Sequence, residues 1–283
     1  MPSLIDIRRR IRSVKNTQQI TKAMKMVSAA KLRRAQDRVV SARPYASLLR
    51  QMLGSVAATA GEAAADPLLA SRPEKRVLLV FITGEKGLAG AFNSNLIKGA
   101  QRFVADRPGV AVEFVLLGRK GRDFFRKRGV TAVGDPTGMM LAVKYADAAS
   151  IARAAMDRFR AEEIDAVHAI YNEFRSAVSQ KLTVTRVLPA EIPAGGTGGD
   201  DLYEQPPAAI LGRLLRRYVE VEIYRAMLES AAAEHAARLT AMDAATANAS
   251  EMIDKLTLYM NRVRQASITK EIIEVVSGAA AAE

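Results

Sequence analysis

Seven residues, Gly84-Glu-Lys-Gly-Leu-Ala-Gly90, stand between an apolar run and a helical stretch. Phosphate- and dinucleotide-binding loops lie at such a place, so the chemistry on offer is nucleotide binding. The spacing argues against it. The dinucleotide fingerprint needs glycines at positions 1, 3 and 6, whereas these fall at 1, 4 and 7, and no Gly-Lys-Ser/Thr follows. A glycine-rich turn packed tightly at a helix start is the favoured reading. His168 lies inside AVHAIYNEF, flanked by apolar residues, and reads as a satisfied core or edge histidine. His235, next to Glu234, reads as a polar residue that sets helix register. The carboxylate pairs Glu162/Glu163, Asp200/Asp201 and Glu271/Glu274 have no matched acid–base partner. Cysteine is absent, which excludes disulfides, Cys-ligated metal and a cysteine nucleophile. No nucleophile–base grouping emerges, so an enzyme with its own active site is a weak hypothesis; no catalytic residue, metal site or cofactor is expected.

The charge is localised. The chain carries a formal +12, yet residues 1–50 hold 13 Lys and Arg against 2 Asp and Glu, and so contribute nearly all of it. Such a segment seeks an anionic partner: nucleic acid, anionic lipid or an acidic protein surface. An ordinary solvated helix mixes both signs for i,i+4 pairing, and this one does not. No run of 18 apolar residues occurs, so no membrane span is expected, and the amino end lacks the features of a signal peptide. An intracellular, soluble protein is expected.

The elements that must position these residues fall into three parts. Between Ser3 and Leu53 the only Gly or Pro is Pro44, and between Arg213 and Ser277 there is none. Long stretches rich in Ala, Leu, Lys, Arg and Glu without such breakers predict helices. Both carry eight heptads. The first seam runs Leu4/Ile7, Ile11/Val14, Gln18/Thr21, Lys25/Ser28, Leu32/Ala35, Val39/Ala42, Ala46/Leu49 and Leu53/Val56. The last runs Leu211/Leu214, Tyr218/Val221, Arg225/Leu228, Ala232/His235, Leu239/Met242, Thr246/Ala249, Ile253/Leu256 and Met260/Val263. At 1.5 Å per residue the helices reach roughly 80 and 100 Å, so each needs a long partner, and the other, antiparallel, is the simplest. Where the first seam turns polar, its apolar side is expected to slip back to Ile20, Met24 and Val27. Pro44 should kink the helix or sit where its hydrogen bond is already lost.

The middle alternates strands at Val77–Thr83, Val110–Gly118, Thr131–Val133, Ala166–Phe174 and Lys181–Leu188 with helices at Phe92–Ala105, Lys120–Arg128 and Asp147–Ala161. That pattern predicts an open, mostly parallel α/β sheet, with the last two strands as an antiparallel hairpin at one edge. Gly54–Glu74 and Ala194–Pro207 read as flexible flanks. The expected domains are an amino-terminal coiled-coil helix (1–60), a Rossmann-like α/β domain (75–190) and a carboxyl-terminal coiled-coil helix (208–283).

Two segments carry more specific information. SVKNTQQITKAMKMVSAAKLRRAQ (13–36) and RVRQASITKEIIEVVSGAAA (262–281) closely resemble the gamma subunit of F-type ATP synthases, the central rotor shaft, of the bacterial type. The resemblance extends to SARPYA (41–46), GLAGAFNSNL (87–96), LYEQPP (202–207) and AARLTAMDAATANA (236–249), which is essentially the whole chain. Relatives often have Cys where Ala89 stands and Gly-Leu where Ala91-Phe92 stands. Chloroplast relatives carry a cysteine-bearing regulatory insertion, so thiol control does not apply to this chain.

The resemblance implies that the two terminal helices stand inside a ring of three alpha and three beta subunits, and that rotation drives the beta sites through different nucleotide affinities. It implies beta-subunit contacts at Arg264 and Gln265, with Arg238, Thr269, Glu271 and Glu274 nearby on the same helix and Met24 opposite that region. Lys31, Arg33 and Arg34 would face an acidic beta loop, with Lys86 of the glycine turn close by. Tyr203 and Glu204 would form the foot on the membrane c-ring. The implied partners are the alpha, beta and epsilon subunits and the c-ring, with no nucleic acid. The implied location is peripheral, at the cytoplasmic face of the bacterial inner membrane. Two other readings of the residues remain open: a basic coiled coil that binds nucleic acid, and an α/β enzyme using the Gly84–Gly90 loop. Against the former, basic residues and heptads coincide, whereas a basic zipper separates them.

Overall fold

A computed structural model of the chain describes residues 3–61, 66–130, 132–134, 136–192 and 203–280. The Ala194–Pro207 flank lies mostly outside the described residues, and Thr131, Asp200 and Asp201 lie outside them altogether. The long breaker-free stretches are helices: α1 spans Leu4–Ala60 and α5 spans Pro207–Ala280. Ser3 caps α1, its hydroxyl accepting from the Asp6 amide at 3.2 Å and donating to the Asp6 carboxylate at 2.7 Å. Pro44 lies inside α1, which continues on both sides of it. Pro207 opens α5, where its missing N–H costs no helix bond.

The chain divides into two compact units. The first comprises residues 29–238 and contains the sheet with the adjoining stretches of α1 and α5. Its strands are β1 (Arg76–Ile82), β2 (Ala111–Leu117), β3 (Ala132–Gly134), β4 (Ala166–Phe174) and β5 (Gln180–Leu188). Helices α2 (Phe92–Ala105), α3 (Arg119–Arg126) and α4 (Tyr145–Arg160) separate them. The order is β3-β2-β1-β4-β5. β1 pairs parallel with β2 and β4, and β4 pairs antiparallel with β5, so the edge hairpin is present as expected. β1 buries six of its seven residues, the signature of a central strand covered on both faces. The Gly54–Glu74 stretch differs from expectation. α1 continues to Ala60 because Leu53, Val56 and Ala57 are still covered. Asp66 then caps a short 3-10 turn, Pro67–Leu69, that drives Leu68 to full burial.

The second unit comprises the described residues 3–28 and 239–280. Here α1 and α5 pair antiparallel: Gln18 Nε2 donates to Ser250 Oγ at 2.6 Å, Thr246 Oγ1 meets Thr21 Oγ1 at 2.8 Å, and Lys25 Nζ lies 2.5 Å from Asp243. In the first unit the register is also antiparallel, through Arg43 with Glu229 and Arg50 with Glu222. Every expected seam residue on both helices is buried or half-buried. The expected slip of the apolar side does not occur. Ile20 and Val27 are 60% and 56% exposed, and Met24 is only half-buried, while the polar Thr21 and Ser28 are covered. Small hydroxyl-bearing residues let the two backbones close and satisfy each other, so the seam keeps its heptad phase without apolar side chains.

Candidate functional site

The glycine turn sits where β1 ends, beside the point at which the strand order reverses from β2 to β4. In an open α/β sheet that crevice receives ligands. Here α5 fills it. A Cβ placed on Gly84 would lie 2.8 Å from the Glu234 carboxyl carbon, so glycine is what allows the helix to approach. Glu234 accepts from Arg238 Nη2 at 2.5 Å, and Arg238 donates onward to the carbonyls of Gly87 at 3.2 Å and Lys86 at 3.3 Å. The Gly84 amide donates to Asn93 Oδ1 at 2.9 Å. Burial pushes the Glu234 carboxyl above its ordinary range, with Arg238 opposing the shift. A buried carboxylate fixed at the mouth of the turn disfavours a phosphate there. The turn is thus a packing device for α5, and it presents Lys86 and Leu88 to solvent, Leu88 at a left-handed φ of 60°.

Three further buried carboxylates line α5, and heptad reasoning missed them. Glu220 accepts from the Tyr145 hydroxyl and from Arg153 Nε at 3.0 Å. Burial raises its pKa, but those two hydrogen bonds and the charges of Arg153 and Arg217 outweigh it and hold the group below its ordinary value. Glu222 pairs with Arg50 and Arg225, at 2.9 and 2.8 Å. Glu229 accepts the backbone N–H of Phe174 at 3.0 Å and lies 3.5 Å from Arg43. The available signal was that Glu220, Glu222 and Glu229 have no Lys or Arg at i+4.

The histidines behave as expected of structural groups. His168 is buried, its Nε2 3.1 Å from Glu74, and burial leads the lowering of its pKa. His235 lies 3.4 Å from Arg238, and burial, Arg238 and Lys31 together lower its pKa to about 4. Among the described residues there is no cluster of metal-ligating side chains, and no helix is long and apolar enough to cross a membrane.

The residues singled out from sequence fall into separate places. Lys31 and Arg34 line a cavity of about 420 Å³ with Arg38, His235 and the Met140–Val143 segment; Arg33 is exposed on the same helix. Arg38 Nη1 donates to the Val143 carbonyl at 3.4 Å, which ties that segment to α1. Arg238 is buried and its hydrogen bonds are internal. Met24 lies level with Asp243 and Thr246 rather than with Arg264, which is some 20 residues, or roughly 30 Å, further along α5. Arg264, Gln265, Thr269, Glu271 and Glu274 are all exposed. Their polar contacts are local: Thr269 donates to the Gln265 carbonyl at 2.9 Å, Ser267 donates to Glu271 at 3.2 Å, and Lys270 forms an ion pair with Glu274 at 3.4 Å. Interleaved with them are Ile268, Ile272, Ile273, Val275 and Val276, at 48%, 57%, 58%, 72% and 61% exposure. Five large aliphatics on one uncovered helix end mark a surface that another molecule covers. Tyr203 is half-buried and Glu204 exposed, just ahead of α5.

The ATP synthase family model matches residues 3–282. The ATP synthase gamma chain of Solibacter usitatus is 70% identical over the whole of both chains, and that of Anaeromyxobacter sp. strain Fw109-5 is 52% identical over 99% of each. Among solved structures, a chain of the central stalk and c-ring of Tetrahymena thermophila mitochondrial ATP synthase aligns with a TM-score of 0.59 and 25% identity, covering 80% of this chain and 99% of that one. A rotor chain of the Euglena gracilis mitochondrial enzyme aligns with a TM-score of 0.67 at 20% identity, over 94% and 98% of the two chains. The chain therefore belongs to the family of ATP synthase gamma chains.

Proposed function

We propose that this chain is the central-stalk rotor of an F-type ATP synthase, a non-catalytic subunit that carries torque between a c-ring and the nucleotide sites of beta subunits. The full-length 70% identity to a gamma chain carries the reading. Two structural features support it. The nucleotide crevice of the sheet is filled by Glu234 and Arg238, which fits a subunit whose neighbours do the chemistry. The end of α5 is uncovered and apolar, which fits a helix that turns inside a ring of alpha and beta subunits.

In this reading the segments divide the work as 1–60 and 208–283 for the paired helices and 75–190 for the α/β domain. Arg264 and Gln265 engage a beta loop, flanked by Thr269, Glu271 and Glu274. Lys31, Arg33, Arg34 and Lys86 meet an acidic beta loop, the exposed cations supplying long-range attraction without a fixed groove. Met24 and Arg238 belong to the same set of beta contacts, Arg238 serving them by holding the glycine turn. Tyr203 and Glu204 rest on the c-ring, and the epsilon subunit joins the same stalk. The complex couples proton transport to ATP synthesis at the cytoplasmic face of the bacterial inner membrane, with this subunit peripheral.

Co-expression with the alpha and beta subunits tests the reading. The expected result is co-purification and ATPase activity in the complex that the chain alone lacks. Robust turnover by the chain alone, or no association, overturns it.

A further inference from the structure

We infer that Glu220 and Glu229 are positioning residues that lock α5 to the α/β sheet layer against turning, so that torque passes between the two. The inference rests on the rotor reading.

Between Glu220 and Ala233 the contact of α5 with the α/β layer is otherwise apolar; directional contacts to that layer resume only at Arg238, on the Gly87 and Lys86 carbonyls. Ala226, Ala232, Ala233 and Ala236 are buried almost completely, as are Ile223 and Met227. Apolar burial is non-directional: it holds a helix in place but resists rotation or sliding only through the shape of the side chains. Short alanines offer little of that. The two carboxylates supply direction. Glu220 reaches α4 twice, at the Tyr145 hydroxyl and at Arg153 Nε, 3.0 Å away. Glu229 takes the main-chain N–H of Phe174, the last residue of β4, at 3.0 Å, and the same carboxylate lies 3.5 Å from Arg43 of α1. One side chain thereby joins a strand end, α5 and α1.

Their spacing completes the argument. Nine residues at about 100° and 1.5 Å each place the two side chains on opposite faces of α5, roughly 14 Å apart along its axis. A single pin permits pivoting; two pins on opposite faces block it. Both groups are buried, Glu220 at 6% and Glu229 at 3% exposure. Burying a charge is weak support for stability, since a well-packed apolar residue often serves as well or better. What charge adds here is a fixed geometry to named donors.

The chain has no cysteine, so Val178→Cys, at the exposed tip of the β4–β5 hairpin, gives this subunit a single attachment point on the α/β layer. A bead there, in a complex held by its alpha and beta subunits, reports stalk stiffness through its angular variance when rotation is paused. The Glu220→Met, Glu229→Met double variant should keep ATP hydrolysis near the wild-type rate while the variance rises by at least about twofold and protons pumped per ATP fall. Glu220→Gln with Glu229→Gln, which keeps acceptor oxygens, should fall between. Wild-type variance and pumping ratio in the assembled Met variant overturn the inference. So does failure of both pairs to assemble, because the carboxylates would then be determinants of folding. A wild-type complex whose bead does not rotate at all overturns the rotor reading instead.

Discussion

Two stretches of one helix face opposite conditions. Between Leu211 and Arg238, α5 is covered on nearly every side, including its four glutamates; between Arg264 and Ser277 only Ser267 is even half-buried. Composition does not distinguish them, since both mix aliphatic and charged residues. What differs is where the partners are. The first stretch finds them in its own chain, in α1, α4, β4 and the glycine turn. The second displays Ile268, Ile272, Ile273, Val275 and Val276 with no described residue of this chain over them, an apolar surface of the kind that partner subunits cover. The covered stretch is therefore expected to govern stability, and the uncovered one assembly.

Substitutions can break that division. The largest expected effect is that of Arg238→Ala, which leaves the buried Glu234 unpaired and the Gly87 and Lys86 carbonyls without their donor; denaturant unfolding of the purified chain should show a loss of about 3–5 kcal/mol. Ile223→Ala, at a fully buried site, should cost about 2–5 kcal/mol in the same measurement, from lost burial and the cavity left behind. A loss within experimental error at either position would mean the covered stretch is not what holds the fold.

His235 gives a smaller, pH-dependent effect. Its pKa is lowered to about 4 from an ordinary 6.5, so between those values the unfolded chain binds the extra proton. Stability contributed by neutral His235 is full above pH 6.5 and declines as pH falls toward 4. His235→Gln should flatten the pH dependence of unfolding in that window; an unchanged slope would contradict the assignment. The smallest effect is expected at the uncovered end. Ile272→Ala should change the stability of the purified chain by no more than about 0.5 kcal/mol, yet weaken its capture by alpha and beta subunits. A large loss of stability there would erase the distinction between the two stretches.

Much of the fold was legible because its causes are local. Heptad spacing located both seams, polar positions included, and strand–helix alternation located the sheet with its edge hairpin. The expected slip to Ile20 and Val27 failed because apolarity was weighed above phase; Thr21 and Thr246 satisfy each other across the seam. Glu220, Glu222, Glu229 and Glu234 were invisible for a related reason. A heptad assigns one face of a helix to the core, whereas this stretch of α5 is covered on several faces, and only the tertiary arrangement supplies their partners. The glycine turn was read correctly as a packing turn, but the side chain it admits, Glu234, comes from more than a hundred residues away.

The central claim is that this chain turns. With the alpha and beta subunits fixed to a surface and a bead on Val178→Cys, ATP should drive unidirectional, stepwise rotation of the bead. A bead that stays still while the same complexes hydrolyse ATP would contradict the account.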